Sequence, residues 1–464
     1  MRASSTRLRL RAAPHSTTVD ATTRRSIRTR TTSIPTTTTR NQTRQTPITQ
    51  SQPRPPVAQP HLQPPTSLRH ASPSTTPKPP RPKTALFFPG QGVQKVGMLT
   101  PWLEAFPATV KPLIEKIDHY TGSRALTSLI QTGPSSVLTQ TTNAQPAIMA
   151  TSILILRVLE TEFGFRPAER VDFCLGHSLG EFAALVAGGV LRFEDSLRMV
   201  TRRAEAMAAA TRKAREEFGG DYGMVAVLTE PEYLPELIQA VEEFTAPYRS
   251  PGAKGESGAE MSPIDQVLIA NVNSRNQIVL SGNMERIRTL VAHVRQFLGH
   301  DPRAVRLHAD SPFHSPIMKP AVGVMRQILG ERSVVKGQEG EDVVIWPGDI
   351  TCVSNLTARP FENRENVKDL LARQCLETVR WWDSIKYLDQ EEKVRRWIGI
   401  GPGKVGRNLV GKEVGMRGKD SVKGGGVWAI TDPSEIEEVL RGLEETEGVV
   451  EEDEDDEEDE EEGR

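Results

Sequence analysis

The pattern of apolar and polar positions along residues 83–211 predicts an α/β architecture. The pattern predicts strands over residues 84–88 and 171–175, and buried helices over residues 147–163 and 179–186. A short strand that ends at a Pro-Gly turn and a long apolar helix without Gly or Pro are typical of buried elements. Strands that alternate with helices indicate a parallel sheet covered by helices on both faces.

From residue 212 to residue 308 the pattern changes. It predicts two helices, over residues 233–244 and 284–298, among four strands over residues 222–228, 266–271, 277–281 and 303–308. We place the turn between the middle strands at Asn273-Ser274, and a Gly/Ser/Pro-rich exposed loop at residues 246–263. The β-α-β-β-α-β order predicts a ferredoxin-like small domain, residues 212–308, inserted into a hydrolase-like large domain of residues 83–211 and 309–440.

The two ends of the chain differ from the middle in charge. Residues 1–82 contain 13 Arg and one Lys against one acid, whereas residues 443–464 contain 15 acids and one Arg. Of the 58 basic and 60 acidic residues, 43 and 44 remain in between. Composition predicts disorder in a basic N-terminal region, residues 1–82, and an acidic tail, residues 441–464. The near-neutral middle argues against a nucleic-acid partner.

The N-terminal region has the composition of an organelle targeting sequence. Its opening is rich in Arg and Ser and free of acids, without the apolar segment of a secretory signal. We expect a transit peptide and localisation in the mitochondrial matrix; a basic tail with another address is the alternative. No stretch approaches the ~20 apolar residues that cross a bilayer, so we expect no membrane partner. Three scattered cysteines, Cys174, Cys352 and Cys375, predict neither a disulfide framework nor a zinc site.

The run Gly176-His177-Ser178-Leu179-Gly180 matches the G-x-S-x-G pattern of a nucleophile elbow, between a predicted strand and a predicted helix. The helix N-terminus favours negative charge that develops beside the serine. A serine also needs a base to become a strong nucleophile. Among nine histidines, His177 adjoins Ser178 but departs in another direction, and His308 lies in a strand-like segment. His314 follows a predicted strand end and is the favoured base, with the others left open.

Seven short motifs then follow one another between residues 84 and 436: Phe88-Pro-Gly-Gln-Gly92, Thr142-Asn-Ala-Gln-Pro146, Gly176-His-Ser-Leu-Gly-Glu181, Arg203, Phe313-His314, Arg373-Gln374 and Gly401-Pro-Gly-Lys404. Their order and approximate spacing resemble the malonyl-CoA:acyl-carrier-protein transacylase family. With the Arg-rich N-terminus, the chain resembles the mitochondrial, eukaryotic type. The resemblance covers nearly all of the predicted ordered chain and implies malonyl transfer for type II fatty-acid synthesis.

The resemblance implies catalytic roles for particular residues. Ser178 would attack the malonyl thioester, with His314 as general base and later general acid. A backbone carbonyl, that of Gln374, would orient the imidazole. The backbone N–H groups of Leu179 and Gln91 would form the oxyanion hole.

The resemblance also implies a basis for substrate selection. Arg203, in a predicted helix, would bind the malonyl carboxylate through two parallel hydrogen bonds. Phe313 would crowd an α-methyl group, and Gln91 would contact the substrate. The substrates would be malonyl-CoA and phosphopantetheinylated acyl carrier protein, with no cofactor and no metal. Candidates for a basic rim facing the carrier protein are Lys404, Arg407 and Arg212.

Other functions remain open at this point. A serine hydrolase or thioesterase would use a related elbow, although Arg203 and the missing acid of a triad argue against it. A non-catalytic carrier-protein-binding module and an acyltransferase from a multifunctional synthase are further alternatives. The run Asn355-Leu356-Thr357 matches a glycosylation sequon, which we interpret as coincidental because an imported matrix protein would not meet that machinery.

Overall fold

The computed structural model describes residues 81–122, 125–249, 267–297, 301–415 and 425–447. The predicted disordered and targeting region before residue 81 lies outside these residues. So do the predicted loop from residue 250 to 263 and the acidic run from residue 448 onward.

The strands of the described residues, in chain order, are β1 (Lys83–Phe88), β2 (Phe173–Gly176), β3 (Tyr222–Leu228), β4 (Val267–Ser274), β5 (Gln277–Asn283), β6 (Arg303–Arg306), β7 (Thr351–Cys352), β8 (Val394–Ile400) and β9 (Gly426–Ile430). The helices are α1 (Thr100–Ala105), α2 (Pro107–Tyr120), α3 (Leu126–Thr132), α4 (Ser135–Leu138), α5 (Thr141–Phe163), α6 (Pro167–Arg170), α7 (Gly180–Ala187), α8 (Phe193–Phe218), α9 (Leu234–Arg249), α10 (Met284–Phe297), α11 (Lys319–Gly330), α12 (Arg364–Arg373), α13 (Trp381–Lys386), α14 (Val405–Val414) and α15 (Ile436–Glu445).

The large domain is built on a parallel sheet with the strand order β7-β2-β1-β8-β9. Alternate residues of β1 enter two separate cores, because successive side chains of a strand point to opposite faces. Leu86 and Phe88 pack with α5 and α8, whereas Ala85 and Phe87 pack with Trp381 and Trp397. The sheet is therefore buried on both faces, as predicted for strands that alternate with helices.

The small domain is an antiparallel sheet with the strand order β4-β5-β3-β6. Helices α9 and α10 pack on one face of it, around a core that includes Leu237, Ile278 and Leu290. This order and the β-α-β-β-α-β sequence confirm the ferredoxin-like prediction. The turn between β4 and β5 lies at Arg275-Asn276, two residues after the predicted position, because both strands continue to the turn.

Several predicted boundaries shift in the structure. Helix α8 continues to Phe218, so the predicted boundary at residue 212 falls inside a helix and the small domain begins at β3. Helix α9 extends to Arg249, into the predicted loop. Helix α15 reaches Glu445, past the predicted start of the tail, because Leu443 is buried and its carbonyl accepts a hydrogen bond from Arg396.

The two domains are joined by an isolated parallel bridge on the free edge of β4, where Asn271 lies opposite Val379. The backbones of Ala270 and Val272 exchange hydrogen bonds with Val379, a residue of the large domain, at 2.8 and 3.0 Å. The Thr378 hydroxyl adds a bond to the Ile269 carbonyl at 2.7 Å. The segment after α12 is thereby fixed between the domains, and this segment contributes to the site described next.

Candidate active site

The elbow around Ser178 is shaped by backbone packing. Ser178 joins β2 to α7 with a φ of +49°, a conformation that a non-glycine residue adopts only when its surroundings impose it. A Cβ on Gly176 would lie 2.0 Å from the backbone of Gly180, and a Cβ on Gly180 would lie 2.3 Å from the Phe88 carbonyl oxygen. The two glycines of the motif are therefore required by close approach, and the serine is left partly exposed at the start of a helix.

Ser178 and His314 form a hydrogen-bonded pair. The distance between Ser178 Oγ and His314 Nε2 is 2.7 Å. The Nδ1 atom lies 2.9 Å from the backbone carbonyl oxygen of Glu377, which can only accept. Nδ1 must therefore carry the proton, so Nε2 has a free lone pair and accepts from the serine hydroxyl. This tautomer is the one that a general base requires.

The carbonyl hydrogen-bonded to Nδ1 belongs to Glu377 and not, as predicted, to Gln374, whose backbone makes only a weaker hydrogen-bonding contribution to the imidazole. The chain turns after α12, and this turn brings the later carbonyl under the imidazole. The Cys375 carbonyl accepts from the backbone N–H of His314 at 3.0 Å, so the histidine is fixed at both its backbone and its ring.

The imidazole of His314 is kept neutral. Burial, and then the positive charge of Arg203, lower the pKa of His314 to about 3, although the Glu377 carbonyl opposes this shift. His314 is 2% exposed. The residue is thus available as a base at any physiological pH, and its protonated form exists only while a neighbouring negative charge stabilises it.

Arg203 is a buried guanidinium, and some of its N–H groups have no acceptor among the described residues. It lies on α8 and is 1% exposed. Its Nη1 donates to the side-chain oxygen of Gln145 at 2.6 Å and its Nη2 to that of Gln374 at 2.7 Å. The Nε–H is buried without an acceptor among the described residues, and each Nη has a second N–H. Since an unpaired buried charge is unfavourable, this fork is suited to bind a carboxylate.

The side chain of Gln374 joins the guanidinium to the nucleophile. Its oxygen accepts from Arg203, and its Nε2 donates to the backbone carbonyl of Ser178. Gln374 is fully buried. The sequence singled out this residue for its backbone, whereas its side chain is what fixes the spacing between the anion-binding group and the serine.

The predicted oxyanion donors lie on adjoining loops. The N–H of Leu179, at the start of α7, and the N–H of Gln91, after β1, have no acceptor among the described residues. A Cβ on Gly90 would lie 2.8 Å from the carbonyl oxygen of His177, so the loop that carries Gln91 packs directly against the elbow. Free N–H groups beside a serine nucleophile are the means by which an oxyanion is stabilised.

A chain of hydrogen bonds continues from Arg203 through α5 and the loop that carries Gln91. Gln145 donates to the Gln91 side chain at 3.3 Å, and Gln91 donates to the Thr141 hydroxyl at 3.2 Å. Thr141 donates in turn to the carboxylate of Asp310, four residues before His314. The residues that would bind substrate therefore share one polar network.

Besides Gln145 and Glu377, sequence reasoning assigned no role to two other residues of the site, Glu181 and Asn355. Glu181 is 1% exposed, and burial raises its pKa to about 8 against the opposing effects of the Asn355 N–H and of Arg203. Asn355 makes hydrogen bonds to Gly176, Ser178 and Glu181. Glu181 lies in the motif Gly176–Glu181 and Asn355 lies in the sequon, but no rule of sequence spacing connects residue 355 with residue 178.

Of the remaining predicted residues, Phe313 adjoins the base, and the others have contacts or exposure of their own. Phe313 is 7% exposed and packs in the main core beside His314. His177 points away from the dyad: its Nε2 donates to the side-chain oxygen of Asn273, in the small domain, at 2.9 Å. Of the predicted basic rim, Lys404 pairs with Glu435 at 2.6 Å, Arg407 donates to the Val427 carbonyl at 3.2 Å, and Arg212 is exposed.

The described residues contain neither a candidate metal site nor a candidate membrane span. Within those ranges, no three His, Cys, Asp or Glu side chains are grouped so that they could bind a metal ion. No helix in the same ranges has the length and apolar character needed to cross a membrane.

Comparisons with known proteins agree with this geometry. Residues 86–225 match the acyl transferase domain family. The chain is 34% identical over 364 residues to the malonyl CoA-acyl carrier protein transacylase of Bacillus subtilis, which covers 78% of this chain and 98% of that protein. It is 28% identical over 333 residues to the Haemophilus influenzae protein of the same name, across 72% of this chain and 93% of that one.

Solved structures give the same result. The acyl-carrier-protein S-malonyltransferase of Bartonella henselae superposes with a TM-score of 0.61 at 30% identity, over 78% of this chain and 99% of that one. A malonyl-transacylase solved in complex with its type II PKS acyl carrier protein superposes with a TM-score of 0.61 at 26% identity, over 77% of this chain and 99% of that one.

Proposed function

Because this chain belongs to the malonyl-CoA:acyl-carrier-protein transacylase family, we propose that it transfers a malonyl group from malonyl-CoA to the phosphopantetheine thiol of an acyl carrier protein. The observation that carries the proposal is the placement of a buried guanidinium with free N–H groups, Arg203, beside a serine–histidine pair. Gln374 contacts both the guanidinium and the serine backbone. One site thus combines a nucleophile with a group that recognises a carboxylate.

In the first half-reaction, His314 Nε2 takes the proton as Ser178 Oγ attacks the thioester carbonyl. The carbonyl oxygen becomes negative and is stabilised by the N–H groups of Leu179 and Gln91. The imidazolium is stabilised by the Glu377 carbonyl at Nδ1. Collapse of the intermediate transfers the proton to the sulfur, releases coenzyme A and leaves malonyl-Ser178.

The second half-reaction reverses these roles for a different thiol. His314 removes the proton of the phosphopantetheine thiol, whose sulfur attacks the malonyl-serine ester, and the proton returns to Ser178 Oγ as the new thioester forms. Because both carriers end in the same thiol, one set of residues serves both directions.

Selection of a malonyl group follows from the charge of the site. A malonyl carboxylate would pair with Arg203 in parallel hydrogen bonds, whereas an acetyl group would leave the guanidinium buried and unpaired. Neutralising this charge also removes part of what lowers the pKa of His314. Binding of the correct substrate therefore makes the base stronger as well as placing the thioester.

The proposal is tested by intact-protein mass spectrometry. The protein is mixed with malonyl-CoA and then with phosphopantetheinylated acyl carrier protein, beside the Ser178→Ala variant. We expect wild type to gain one malonyl group and to lose it to the carrier protein, and Ser178→Ala to gain none. Release of free malonate without transfer to the carrier would instead indicate a hydrolase.

We also propose that the N-terminal region directs the protein to the mitochondrial matrix, on the basis of its 13 Arg and single acid in residues 1–82. The full chain and a version that lacks residues 1–82 are each fused at the C-terminus to a fluorescent protein and imaged in cells. Mitochondrial fluorescence only for the full chain is expected. The same distribution for both versions would refute the proposal.

The acidic carrier protein is expected to dock on basic side chains around the site. Arg212, which is exposed on α8, is the member of the predicted rim that is least engaged in the structure, since Lys404 and Arg407 have partners. The Arg212→Glu substitution should raise the KM for the carrier protein and leave the KM for malonyl-CoA unchanged. Equal changes in both constants would argue against a docking role.

A further inference from the structure

We propose that Asn355 is a positioning residue for the nucleophile, whose side-chain amide holds the turn from Gly176 to Ser178 in its reactive conformation. The proposal rests on the function proposed above, in which Ser178 is the nucleophile. It concerns a residue that contacts neither the reacting atoms nor the guanidinium.

The first evidence is the hydrogen-bond pattern at the end of the parallel sheet. Strands β2 and β7 pair with Cys174 opposite Cys352, and the Val353 N–H donates to the Cys174 carbonyl at 2.9 Å. In a regular parallel ladder, the next two hydrogen bonds would join the backbone of residue 355 to the Gly176 carbonyl and to the N–H of residue 178.

The side chain of Asn355 makes these two bonds instead of the backbone. Its Nδ2 donates to the Gly176 carbonyl at 2.7 Å, and its Oδ1 accepts from the Ser178 N–H at 2.7 Å. A primary amide has the same donor and acceptor groups as a peptide. The ladder is thereby extended by one step beyond the end of β7 and across the elbow.

The backbone of Asn355 is engaged elsewhere, which fixes the side chain in place. Its N–H donates to Glu181 Oε1 at 2.8 Å, and its carbonyl accepts from the Arg380 N–H at 2.8 Å. Asn355 is 3% exposed. A rotated amide would place NH₂ against the Ser178 N–H and oxygen against the Gly176 carbonyl, so one orientation is strongly favoured.

The consequence for catalysis follows from backbone strain. A φ of +49° at Ser178 is an unfavourable backbone conformation for a residue with a side chain, and it persists only when neighbours impose it. Without the amide, the turn can relax, which moves Ser178 Oγ away from His314 and turns the Leu179 N–H. A misplacement of about 1 Å can lower a rate about 100-fold.

The test compares Asn355→Ala and Asn355→Asp with a matched control, Asn283→Ala. Asn283 is 2% exposed, and its side chain likewise accepts from a backbone N–H, that of Glu285 at 2.9 Å, but in the small domain. The single-turnover rate of Ser178 malonylation is measured at saturating malonyl-CoA, together with KM and the melting temperature. A fluorophosphonate is a second reagent: the serine oxygen bonds to phosphorus, fluoride leaves, and the proton passes to His314.

We expect Asn355→Ala to lower both rates about 100-fold and to leave KM for malonyl-CoA nearly unchanged. Asn355→Asp keeps the acceptor for Ser178 but loses the donor to Gly176, so its rates should be intermediate. Asn283→Ala should melt earlier but react at the wild-type rate, which separates positioning from loss of stability.

Wild-type rates in a folded Asn355→Ala protein would overturn the proposal. If Asn355→Ala does not fold, wild-type rates in Asn355→Asp would overturn the proposal. If wild type reacts with the fluorophosphonate but not with malonyl-CoA, the proposed function fails and the fluorophosphonate rates still decide the role of Asn355. Reaction of wild type with neither reagent would overturn both.

Discussion

The Arg203→Ala substitution removes the guanidinium and leaves the nucleophile and its base in place. Within the described part of the chain, the Arg203 side chain donates hydrogen bonds to Gln145 and Gln374 and none to Ser178 or His314. Phe182 lies beneath the guanidinium with its ring centroid 5.5 Å from Cζ. The substitution therefore tests carboxylate binding in a site whose catalytic pair is retained.

The expected magnitude follows from the hydrogen bonds that a malonyl carboxylate would lose. Each hydrogen bond to a charged group contributes about 1.5–3 kcal/mol, so two contribute about 3–6 kcal/mol. Because about 1.4 kcal/mol corresponds to a factor of ten in rate, kcat/KM for malonyl-CoA should fall about 100-fold to 10,000-fold. Acetyl-CoA has no carboxylate to lose, so its kcat/KM should stay the same or rise.

The assay measures the kcat/KM of Ser178 acylation with malonyl-CoA and with acetyl-CoA for each variant. Arg202→Ala is the matched control. Arg202 is the preceding residue on α8 and forms an ion pair with Glu331 at 2.7 Å, with both side chains 33% exposed. A pair at that exposure contributes little to stability, so the control should keep the selectivity of wild type.

An equal fall in kcat/KM for both thioesters, in a variant that still melts cooperatively, would refute the reasoning. It would mean that Arg203 acts through the structure of the site and not through the substrate carboxylate. Loss of selectivity in Arg202→Ala would likewise contradict the assignment.

Three further predictions concern the base, the elbow and the Gln374 bridge. The kcat/KM for acylation, which reports the pKa values of the free enzyme, should stay constant from about pH 7.5 to about pH 5.5, because the pKa of His314 without substrate is lowered to about 3; an acid limb near the ordinary histidine pKa of ~6.5 would contradict this. The same shift makes folding less favourable as pH falls from ~6.5 towards ~3, since only the unfolded chain then gains the proton. Gly176→Ala should prevent native folding, because its Cβ would lie 2.0 Å from backbone atoms. The control Gly323→Ala, whose Cβ has no atom within 4 Å, should gain about 0.5–1 kcal/mol of stability. Similar urea unfolding curves for the two variants would refute the steric argument. Gln374→Ala removes one hydrogen bond of the Arg203 guanidinium and should raise KM for malonyl-CoA about tenfold in steady-state assays. An unchanged KM would show that the contact of Gln374 with Arg203 is dispensable for substrate binding.

Local signals in the sequence were sufficient for the elements and the nucleophile. The short apolar run of residues 84–88 was enough to predict a buried strand, and the side chains of β1 enter the two cores on either side of the sheet. The strand–turn–helix context of Ser178 is likewise a local property, because the glycines at positions 176 and 180 act on neighbouring backbone. The β-α-β-β-α-β order was enough to predict the small domain, although helix ends shifted by several residues.

The choice of His314 required the resemblance, since spacing alone left His177 and His308 open. The structure excludes His177 as the base, because its Nε2 is bound to Asn273. It also replaces the Gln374 carbonyl with that of Glu377. A backbone carbonyl has no side-chain signature, so nothing in the sequence distinguishes residue 377 from its neighbours.

The sequence by itself determined which residues could react: a serine in a turn that only glycines permit, a candidate histidine and an arginine on an apolar helix. Only the tertiary structure decided how they are held. Asn355 reaches Ser178 across 177 positions of chain, and Gln374 reaches it across 196. Such contacts depend on the order of strands in the sheet and on the exclusion of water from the site, and neither is encoded by any local spacing of residues.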